Sequence, residues 1–488
     1  MITKKYQTSL LQKVVMISIF LVITLFFVPY SFELILSINF LFILFTGVSR
    51  VLLFPKKKKV VRVKEKTEKP FVSIHIPICS EPPAVVASAV RAAFNQNYDN
   101  FEIIIISNNT KDESLWKPIE FLAGSLGDKV TFINVKRLSG YKAGALNLAR
   151  KLTSKQATYI FTLDADYILH QNALSDAVAT ITSRKLAVLQ YPQSYSNTSL
   201  STTGISDNYE LYFDCFSEGA NYEDVALPTG TLTLIHIKVL DAIKGWSASS
   251  ITEDAMLGLS VLEKGYKTGF KNKVIGQGLI PGTFEDFRKQ RARWIFGNLQ
   301  VLLTLLQNRT ITLKKKWFLS LQLTAWINFL GIPLLCVVYS TLLKLANPEI
   351  NIYSILGLAG FSVFTHLVLY MGIALQKVSN HPLRALSMLC AHLSTIEYGA
   401  FYWWNIFFQK EKPFNRTNKF YKNGTFTIQD FITPLILLLT GLLLFISYPV
   451  AWYGAIVAVF GTLIFLAKLV TIYELGETRK AVKTSTSI

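Results

Sequence analysis

Four short polar clusters follow one another in a fixed order in the middle of the chain. They are YKAGALN with Lys142, FTLDADY with Asp164 and Asp166, ITEDAMLG with Glu253 and Asp254, and KQRARW with Gln290, Arg291, Arg293 and Trp294. Together they contain cations that suit a diphosphate, carboxylates that suit a divalent metal, a further carboxylate that could act as a base, and an aromatic face. One cluster alone would be weak, but the set predicts group transfer from a diphosphate-activated donor to a hydroxyl.

The two aspartates of FTLDADY stand directly after the apolar run Ala157–Leu163, which has the composition of a buried strand. Alternate carboxylates at a strand end can share a Mg²⁺ or Mn²⁺ ion whose remaining ligands are diphosphate oxygens. The alternative to metal binding is that the two aspartates only form a turn, in which this residue type is common. Because the other clusters accompany them, we predict that Asp164 and Asp166 bind a metal cofactor, Mg²⁺ or Mn²⁺.

The acids of ITEDAMLG follow Thr252 at the start of a predicted helix. Acidic residues are favoured at helix N-termini for electrostatic reasons, which is the structural alternative. In the functional interpretation Asp254 is the general base that accepts the proton of the attacking hydroxyl. Lys142 and the arginines of KQRARW could be ordinary exposed helix charges, but they also suit a diphosphate that leaves with increased negative charge.

The segment from Pro70 to Gly278 alternates strand-like and helix-like stretches, which predicts a doubly wound α/β domain. The predicted strands are FVSIHIPIC, FEIIIISN, Val130–Val135, Ala157–Leu163 and Ala187–Tyr191. Ligands bind such domains outside the carboxyl ends of the strands. Asn108 and Asp164 both fall at strand ends, so we expect them at one edge of the sheet.

A single helix is predicted over Thr283–Leu306, with Thr283 as a capping residue. Gln290, Arg293 and Trp294 are spaced i, i+3 and i+4, so they share one face of this helix. The C-terminal half, WIFGNLQVLLTLL, is largely apolar. We therefore expect the helix to lie along a membrane surface.

The composition is that of a membrane protein, with 51% hydrophobic residues and a mean hydropathy of +0.35. Apolar runs long enough to span a bilayer, at roughly 20 residues each, lie at Lys13–Tyr30, Phe32–Leu53, Trp317–Leu343, Ile352–Leu375, Phe431–Tyr448 and Ala451–Thr471. The first run reads as an anchor and not a removable signal peptide, because another run follows it closely. We therefore predict about six spanning helices in contact with membrane lipids.

The net charge of +19 is concentrated beside these apolar runs. Short loops rich in Lys and Arg stay in the cytoplasm, so both termini and the polar middle of the chain are predicted to be cytoplasmic and the protein to be multi-pass in the cytoplasmic membrane. Nucleic-acid binding is disfavoured, because no basic face interleaved with aromatics accompanies the charge. A crossing by Ala385–Phe408 would place the basic loop Lys410–Lys422 outside, so an interfacial or re-entrant helix is predicted there.

These patterns divide the chain into seven predicted segments. They are an N-terminal transmembrane hairpin (1–54), a basic linker (55–69), a cytoplasmic catalytic domain (70–278), interfacial helices with the QRARW motif (279–316), transmembrane helices (317–376), an interfacial helix with a loop (377–430), and C-terminal transmembrane helices with a tail (431–488). The four cysteines lack metal-type spacing and are predicted to be reduced thiols.

The ordered clusters resemble the inverting, membrane-embedded glycosyltransferases of family two, which include cellulose, hyaluronan and chitin synthases and bacterial β-glucan synthases. The resemblance extends over nearly the whole chain. It implies a nucleotide-sugar-binding, GT-A-like domain inserted in an α-helical transmembrane domain.

The resemblance also implies a role for each matching residue. The metal and nucleotide roles fall to Asp164 and Asp166, the base to Asp254, and the UDP diphosphate contacts to Lys142, Arg291 and Arg293. The acceptor-binding residues would be Glu253, Gln290 and Trp294, with Thr229, Gly230 and Thr231 of PTGTLTL. KPFNRTNKF resembles the gating loop of cellulose synthase, with Phe414, Thr417 and Lys419 at the matching positions.

One segment departs from the family pattern. Such enzymes usually have paired acids near the end of the second strand for uracil recognition, whereas this chain has Ser107 and Asn108 in SNNTKDESLWKP. Asn108 can still form hydrogen bonds with uracil. The NNTKD…LW.P pattern is most similar to synthases of β-1,3-type glucans, including cyclic glucan and single-protein Gram-positive capsule synthases, and this similarity implies glucose as the donor sugar.

We therefore expect a processive inverting synthase that polymerises UDP-glucose into a β-glucan and exports it, with the growing polysaccharide as acceptor. Another sugar, giving a β-mannan or a hyaluronan- or chitin-like polymer, is an alternative, as is transfer of a single sugar to a lipid. An alternative of another class is a non-catalytic, polysaccharide-conducting membrane partner. A homo-oligomer is compatible with each of these readings.

Overall fold

The computed structural model describes residues 30–53, 69–198, 203–408, 426–447 and 451–486. The predicted first span Lys13–Tyr30 and the linker 55–69 lie outside the described residues except for one residue each. The gating-loop residues Phe414, Thr417 and Lys419 lie outside them entirely.

A seven-stranded mixed sheet forms the centre of the domain that follows the linker. The strands of the described chain are β1 (Phe71–Ile78), β2 (Phe101–Asn108), β3 (Val130–Val135), β4 (Ala157–Thr162), β5 (Ile168–Leu169), β6 (Val188–Gln190), β7 (Ser194–Tyr195), β8 (Thr233–His236), β9 (Thr268–Phe270) and β10 (Gly276–Gly278). The large sheet has the order β3-β2-β1-β4-β8-β6-β9, and β5, β10 and β7 form a small second sheet. Each strand predicted from the sequence is present.

The helices fall into a group that covers the sheet and a group that continues into the membrane domain. The first group, with the N-terminal helix, consists of α1 (Ser31–Leu53), α2 (Pro83–Phe94), α3 (Glu113–Ser125), α4 (Tyr141–Leu152), α5 (Ala173–Arg184), α6 (Thr203–Leu211), α7 (Glu218–Asn221), α8 (Ile237–Ala242) and α9 (Glu253–Glu263). The second consists of α10 (Phe284–Gln307), α11 (Leu313–Leu323), α12 (Gly331–Ala346), α13 (Tyr353–Lys377), α14 (Pro382–Leu393), α15 (Ile396–Phe401), α16 (Asn405–Phe408), α17 (Ile432–Phe445) and α18 (Ala451–Thr486). A π-helical turn, Tyr212–Ser217, joins α6 to α7, and short 3₁₀ segments occur at Tyr402–Trp404 and Ile428–Phe431.

Helices cover both faces of the sheet, as a doubly wound α/β domain requires. The apolar side chains of α2, α3 and α5 pack on one face, and those of α4, α8 and α9 pack on the other. Strands β1 and β2 are buried almost throughout, because the parallel strands between two helix layers have no solvent face. The predicted α/β fold class is confirmed.

The strand β8 runs antiparallel to its neighbours β4 and β6, which the sequence did not reveal. The register pairs Thr162, the last residue of β4, with Thr233, the first residue of β8. The start of β8 therefore lies beside the end of β4. This arrangement places the segment before β8, PTGT, next to the aspartates that follow β4.

Four helices within the described part of the chain are long and apolar enough to cross a membrane. They are Ser31–Leu52, Tyr353–Lys377, Ile428–Phe445 and Ala451–Arg479. Each coincides with an apolar run predicted as a span. These helices indicate a membrane protein, and their exposed leucine, isoleucine and phenylalanine side chains form an apolar surface of the kind that faces lipid.

The predicted span Trp317–Leu343 was wrong as a single helix. The chain leaves the helical conformation after Leu323 and resumes it at Gly331, so the second piece has only 16 residues. Phe329 adopts a positive φ of 59°, and a Cβ at Gly331 would lie 2.5 Å from the carbonyl oxygen of Ala400. The backbone therefore turns here to let two segments pack closely.

The predicted interfacial or re-entrant stretch Ala385–Phe408 is broken into α14, α15, a 3₁₀ turn and α16. None of these pieces is long enough to span a bilayer. The helix α14 instead packs against the α/β domain, because Arg384 forms a bidentate ion pair with Asp207 of α6, with an Nη2–Oδ1 distance of 2.7 Å.

Candidate active site

The carboxylates of FTLDADY emerge at the carboxyl edge of the sheet. Backbone pairing continues one residue beyond β4, with Leu163 N–H donating to the carbonyl of His75 at 3.0 Å. The next N–H, that of Asp164, donates to the hydroxyl of Thr231 at 3.0 Å. The antiparallel strand β8 therefore brings the predicted acceptor segment into direct contact with the predicted metal site.

Lys142 connects three parts of this edge. Its ammonium group lies 2.5 Å from Asp164 Oδ1 and 3.9 Å from Glu253 Oε1, and it donates to the carbonyl of Gly230 at 2.9 Å. Burial favours the neutral amine, but the carboxylates of Asp164 and Glu253 outweigh this effect and raise the pKa of Lys142. The side chain therefore stays cationic in the site.

Gly230 lies at the centre of this cluster. Its φ is +84°, a left-handed conformation that residues with a Cβ rarely adopt. A Cβ at this position would lie 3.0 Å from Asp254 Oδ2 and 3.0 Å from Lys142 Nζ. The absence of a side chain lets the predicted base and the predicted diphosphate-binding cation approach the same stretch of backbone.

Asp254 and Glu253 occupy the first turn of α9, as the sequence predicted. Asp254 Oδ1 accepts the N–H of Ala255 at 2.7 Å. Burial, followed by the neighbouring charge of Glu253, raises the pKa of Asp254 to about 7. Burial also raises the pKa of Glu253. A carboxylate whose pKa lies near neutrality suits general base catalysis, because it can accept and later release a proton.

Asp164 and Asp166 fit a divalent ion that takes its other ligands from a bound substrate. They are oxygen donors at a strand end, and Asp166 Oδ2 is further oriented by the N–H of Leu279 at 3.2 Å. Among the described residues no group of three His, Cys, Asp or Glu side chains could hold an ion by itself. This donor set is the kind that Mg²⁺ uses together with phosphate oxygens.

The helix α10 begins as predicted and presents its motif to the site. Thr283 caps it by accepting the N–H of Asp286 at 3.1 Å. Gln290 accepts a hydrogen bond from the hydroxyl of Tyr209 at 2.5 Å. Burial lowers the pKa of Arg293, and the nearby carboxylates of Glu253, Asp164 and Asp254 offset part of that effect. Arg293 therefore lies within electrostatic range of these three carboxylates.

Arg291 was predicted to contact the diphosphate, but the structure does not bring it to the carboxylates. The offset of two residues between Arg291 and Arg293, about 200° around α10, turns the side chain of Arg291 away from Arg293 and into an aromatic cluster. Its guanidinium lies 3.8 Å from the ring centroid of Trp326 and 4.6 Å from that of Tyr209, and it donates to Asn208 Oδ1. Its contacts are therefore those of a buried cation–π pair.

An open cleft of about 500 Å³ extends from the base to the aromatic residues of α10. Its lining includes Asp254, Thr229 and Trp294, together with Tyr212 and Trp326. Aromatic walls with a carboxylate at one end are the kind of lining that can bind a sugar ring. The predicted acceptor residues Thr229 and Trp294 thus share a cavity with the predicted base.

Gln190 is a site residue that the sequence interpretation missed. Its carbonyl oxygen accepts the N–H of Thr229 at 2.8 Å, and its amide donates to the carbonyl of Thr231 at 2.9 Å. Gln193 adds an amide hydrogen bond to the hydroxyl of Thr229 at 3.1 Å. A polar residue within the predicted apolar strand Ala187–Tyr191 was the available signal.

Asn108 lies at the end of β2 and is 5% exposed. The strands β2, β1 and β4 are parallel neighbours, so Asn108 shares the carboxyl edge with Asp164. Asp112, four residues later, caps α3 by accepting the N–H of Ser114 at 2.9 Å. This hydrogen bond of Asp112 stabilises the start of α3.

The fold, with carboxylates at the carboxyl edge of a mixed α/β sheet, is the GT-A-like architecture of glycosyltransferases. Residues 73–242 match the family described as Glycosyl transferase family 2, and residues 159–377 match Glycosyl transferase family group 2. The chain carries a family-two glycosyltransferase domain, which confirms the resemblance seen in the motifs.

Two relatives show how far the similarity extends. The cellulose synthase catalytic subunit of Komagataeibacter sucrofermentans is 25% identical over 242 residues, which are 48% of this chain and 31% of that protein. The probable glucomannan 4-beta-mannosyltransferase 15 of Arabidopsis thaliana is 24% identical over 301 residues, which are 58% of this chain and 55% of that protein. The chain spans less than two thirds of either relative.

A solved structure shares the fold. Mannosyltransferase PcManGT from Pyrobaculum calidifontis, in complex with GDP-Man and Mn²⁺, superimposes with a TM-score of 0.52 at 14% identity. The superposition covers 75% of this chain and 98% of that chain.

Proposed function

We propose that this protein is a processive, inverting glycosyltransferase that polymerises glucose from UDP-glucose into a β-glucan of the β-1,3 type. The observation that carries the proposal is the convergence of Lys142, Asp164 and Asp254 around Gly230, at the end of an aromatic cleft. The enzyme lies in the cytoplasmic membrane with its catalytic domain and both termini in the cytoplasm, and a capsule or another extracellular glucan is its product.

The donor binds at the carboxyl edge of the sheet. Asn108 forms hydrogen bonds with the uracil, and Lys142 and Arg293 balance the charge of the diphosphate. Asp164 and Asp166 hold Mg²⁺ or Mn²⁺, which when bound supplies further positive charge to the diphosphate. The ion pair between Lys142 and Asp164 keeps the lysine in place before the donor arrives.

The acceptor end lies in the cleft with its terminal hydroxyl directed at Asp254. The hydroxyl oxygen forms a bond to the anomeric carbon while the bond from that carbon to the diphosphate oxygen breaks. Asp254 takes the hydroxyl proton, and UDP leaves with the bonding electron pair. Because attack occurs opposite the leaving group, an α-linked donor gives a β-linked product. Lys142 and Arg293 stabilise the developing charge of UDP.

GDP-mannose is the second donor that a specific observation favours. Relatives of this chain are named as glucomannan mannosyltransferases, and the structural neighbour PcManGT was solved with GDP-Man. The same residues could perform the same inversion on that donor. Transfer of one sugar to a lipid is distinguished by the size of the product, and a non-catalytic conducting role is less well supported because it needs no base.

The identity of the donor is tested with purified protein in lipid. The protein is given Mg²⁺ or Mn²⁺ and each member of a panel of UDP- and GDP-sugars. Nucleotide release is measured together with radiolabelled product that stays at the origin of a chromatogram. We expect high-molecular-weight product from UDP-glucose alone. Polymer from another donor would overturn the choice of glucose, and a single-sugar lipid product would overturn processivity.

A further inference from the structure

Four charged side chains meet where the helix α10 contacts the membrane domain, and they are called the charge cluster below. They are Arg288 of α10, Asp430 just before α17, Glu397 of α15 and Lys468 of α18. None of these side chains is more than 20% exposed, and that of Lys468 is fully buried. Ionisable groups at membrane depth are costly unless they are paired, and they commonly mark a function.

The charge cluster consists of two ion pairs. Arg288 Nε lies 3.1 Å from Asp430 Oδ1, and Arg288 Nη1 donates to the hydroxyl of Tyr398 at 3.1 Å. Lys468 Nζ lies 2.5 Å from Glu397 Oε1. The carboxylates of Glu397 and Asp430 lie within electrostatic range of each other. Two positive and two negative charges therefore balance within one cluster.

The charge cluster attaches the start of α10 to three elements of the membrane domain. Lys468 Nζ lies 5.3 Å from the ring centroid of Phe284, the first residue of α10. Asp430 Oδ2 accepts the N–H of Thr427 at 2.8 Å, which closes the turn at the start of the α17 span. Between Phe284 and Arg288, the helix thus contacts α15, the start of α17 and α18.

The face of α10 that makes these contacts is not the face that carries Gln290, Arg293 and Trp294. At about 100° per residue, Arg288 lies about 120–160° around the helix from each of them. Gln290 accepts the hydroxyl of Tyr209, and Arg293 lies within electrostatic range of the site carboxylates. One face of α10 therefore contacts the membrane domain while another contacts the site.

The ion pair between Arg288 and Asp430 affects geometry more than stability. A buried ion pair contributes little net stability compared with well-packed apolar side chains, because removing two charges from water costs about as much as their attraction returns. Such a pair can instead fix one arrangement, since each buried charge has a low energy only beside its partner. A displacement of about 1 Å in a catalytic group can lower a rate by about 10²-fold.

We propose that Arg288 is a positioning residue for the transfer reaction. Through its ion pair with Asp430 it holds α10 against the membrane domain so that Arg293 lies at the diphosphate. Arg288 itself does not contact the substrate and acts through Arg293. The inference rests on the proposed function and deepens it, since it assigns the contact by which the membrane domain sets the geometry of the donor site.

The test uses the full-length double variant Arg288→Met/Asp430→Asn in lipid with UDP-glucose and Mn²⁺. The asparagine keeps an oxygen that can accept the N–H of Thr427, and the variant leaves no buried charge of this pair without a partner. Its unfolding temperature should therefore stay close to that of the wild type, whereas kcat/KM for UDP-glucose should fall about tenfold or more.

Two results of this comparison would contradict the inference. A wild-type kcat/KM in the double variant would overturn the positioning role and leave the proposed function intact. A loss of kcat/KM that is accompanied by a large fall in unfolding temperature would also overturn it, because the ion pair would then have a structural role.

An Arg293→Met background shows whether Arg288 acts through Arg293. If it does, adding the double substitution to Arg293→Met should lower kcat/KM by less than about twofold, because the contact that Arg288 positions is already absent. A further loss as large as that in the wild-type background would show that Arg288 does not act through Arg293.

Arg150→Met is the matched control, because Arg150 Nε lies 3.1 Å from Asp241 Oδ1, in the same kind of contact. This pair joins the last turn of α4 to α8, at the opposite end of α4 from Lys142. The control should keep nearly the wild-type kcat/KM, since an exposed ion pair contributes little. An equal loss in Arg150→Met would contradict a specific role of Arg288. If the wild-type protein releases nucleotide from no sugar nucleotide at all, the proposed function itself fails.

Discussion

At the scale of single residues, the protonation of Asp254 decides whether the proposed base can act. Burial and the charge of Glu253 raise its pKa to about 7. A general base must be deprotonated, so activity is present above this pKa and is lost as the pH falls through it. The raised pKa therefore predicts an acid limb near neutrality.

One pH unit below that pKa, the rate of polymer formation should be about tenfold lower than on the alkaline plateau. The measurement is kcat/KM for UDP-glucose across the pH range, with nucleotide binding measured in parallel. Nucleotide binding should change much less than the rate. A profile that is flat through neutrality would show that another group accepts the proton.

Gly230 provides a second prediction at this scale. In Gly230→Ala the new methyl group would meet Asp254 and Lys142, in addition to the strain of a positive φ. Gly127→Ala is the matched control, because its φ is +78° and no atom lies within 4 Å of its Cβ position. Both variants should lose roughly 1 kcal/mol of stability, but only Gly230→Ala should lose most of its activity. Equal activities of the two variants would show that the close approach is unimportant.

At the scale of secondary-structure elements, the antiparallel strand β8 decides the geometry of the site. It places Thr229–Thr231 beside the end of β4. Gln190 of β6 forms hydrogen bonds with the backbone of this segment. The strand TLIH was not predicted, because its four residues show neither a continuous apolar run nor an alternation of apolar and polar residues. The longer, β-branched strands β1, β2 and β4 were recognisable because their apolar runs are bounded by turn residues.

Gln190→Leu tests the role of these hydrogen bonds. The variant leaves the N–H of Thr229 without its partner and removes one of the two hydrogen bonds to the carbonyl of Thr231, which costs about 1–3 kcal/mol of stability. Gln96→Leu is the control, since Gln96 makes comparable buried bonds to His170 and Leu174 away from the site. Both variants should unfold at a lower temperature, and only Gln190→Leu should polymerise more slowly, by about tenfold. Similar polymerisation rates in the two variants would show that Gln190 has no specific role in the site.

The break between α11 and α12 shows a different limit of sequence interpretation. The run from Trp317 to Leu343 is continuously apolar, so composition predicts one span. The interruption depends on partners that are distant in sequence, such as Arg50 and Ile396. Asn328 and Gly331 were local signals, but only the packed structure shows what they do.

The same limit applies to the QRARW motif. The helical spacing predicted that Gln290, Arg293 and Trp294 share one face of the helix. It gave no way to tell that Arg291 would instead lie over Trp326, because that ring comes from a separate element. Residue type and local period therefore predicted the motifs and their helical faces, and tertiary contacts decided which side chains meet.

At the scale of the whole molecule, the catalytic domain is joined to helices that can cross a bilayer. The acceptor cleft adjoins a cavity formed with α1, α13 and α14. If the catalytic domain is cytoplasmic, as the basic flanking residues predict, synthesis and export occur in one direction. The polymer should then accumulate on the side opposite the donor.

Sealed inside-out membrane vesicles test this prediction. UDP-glucose added outside should be used, and the polymer should be resistant to an added glucanase until detergent opens the vesicles. Right-side-out vesicles, which hide the catalytic domain, are the control and should not use external donor. Polymer that is digested without detergent would contradict export, while leaving the transfer chemistry unaffected.

The central claim is that Asp254 is the base of a polymerising glycosyl transfer, and Asp254→Asn tests it most directly. The amide keeps the size of the side chain and the contact with Ala255, so the variant should fold, enter the membrane and bind UDP-glucose like the wild type. We predict that its rate of polymer formation falls by about 10²- to 10⁴-fold, the usual contribution of a general base. A folded Asp254→Asn protein that binds UDP-glucose and polymerises at the wild-type rate would contradict the account.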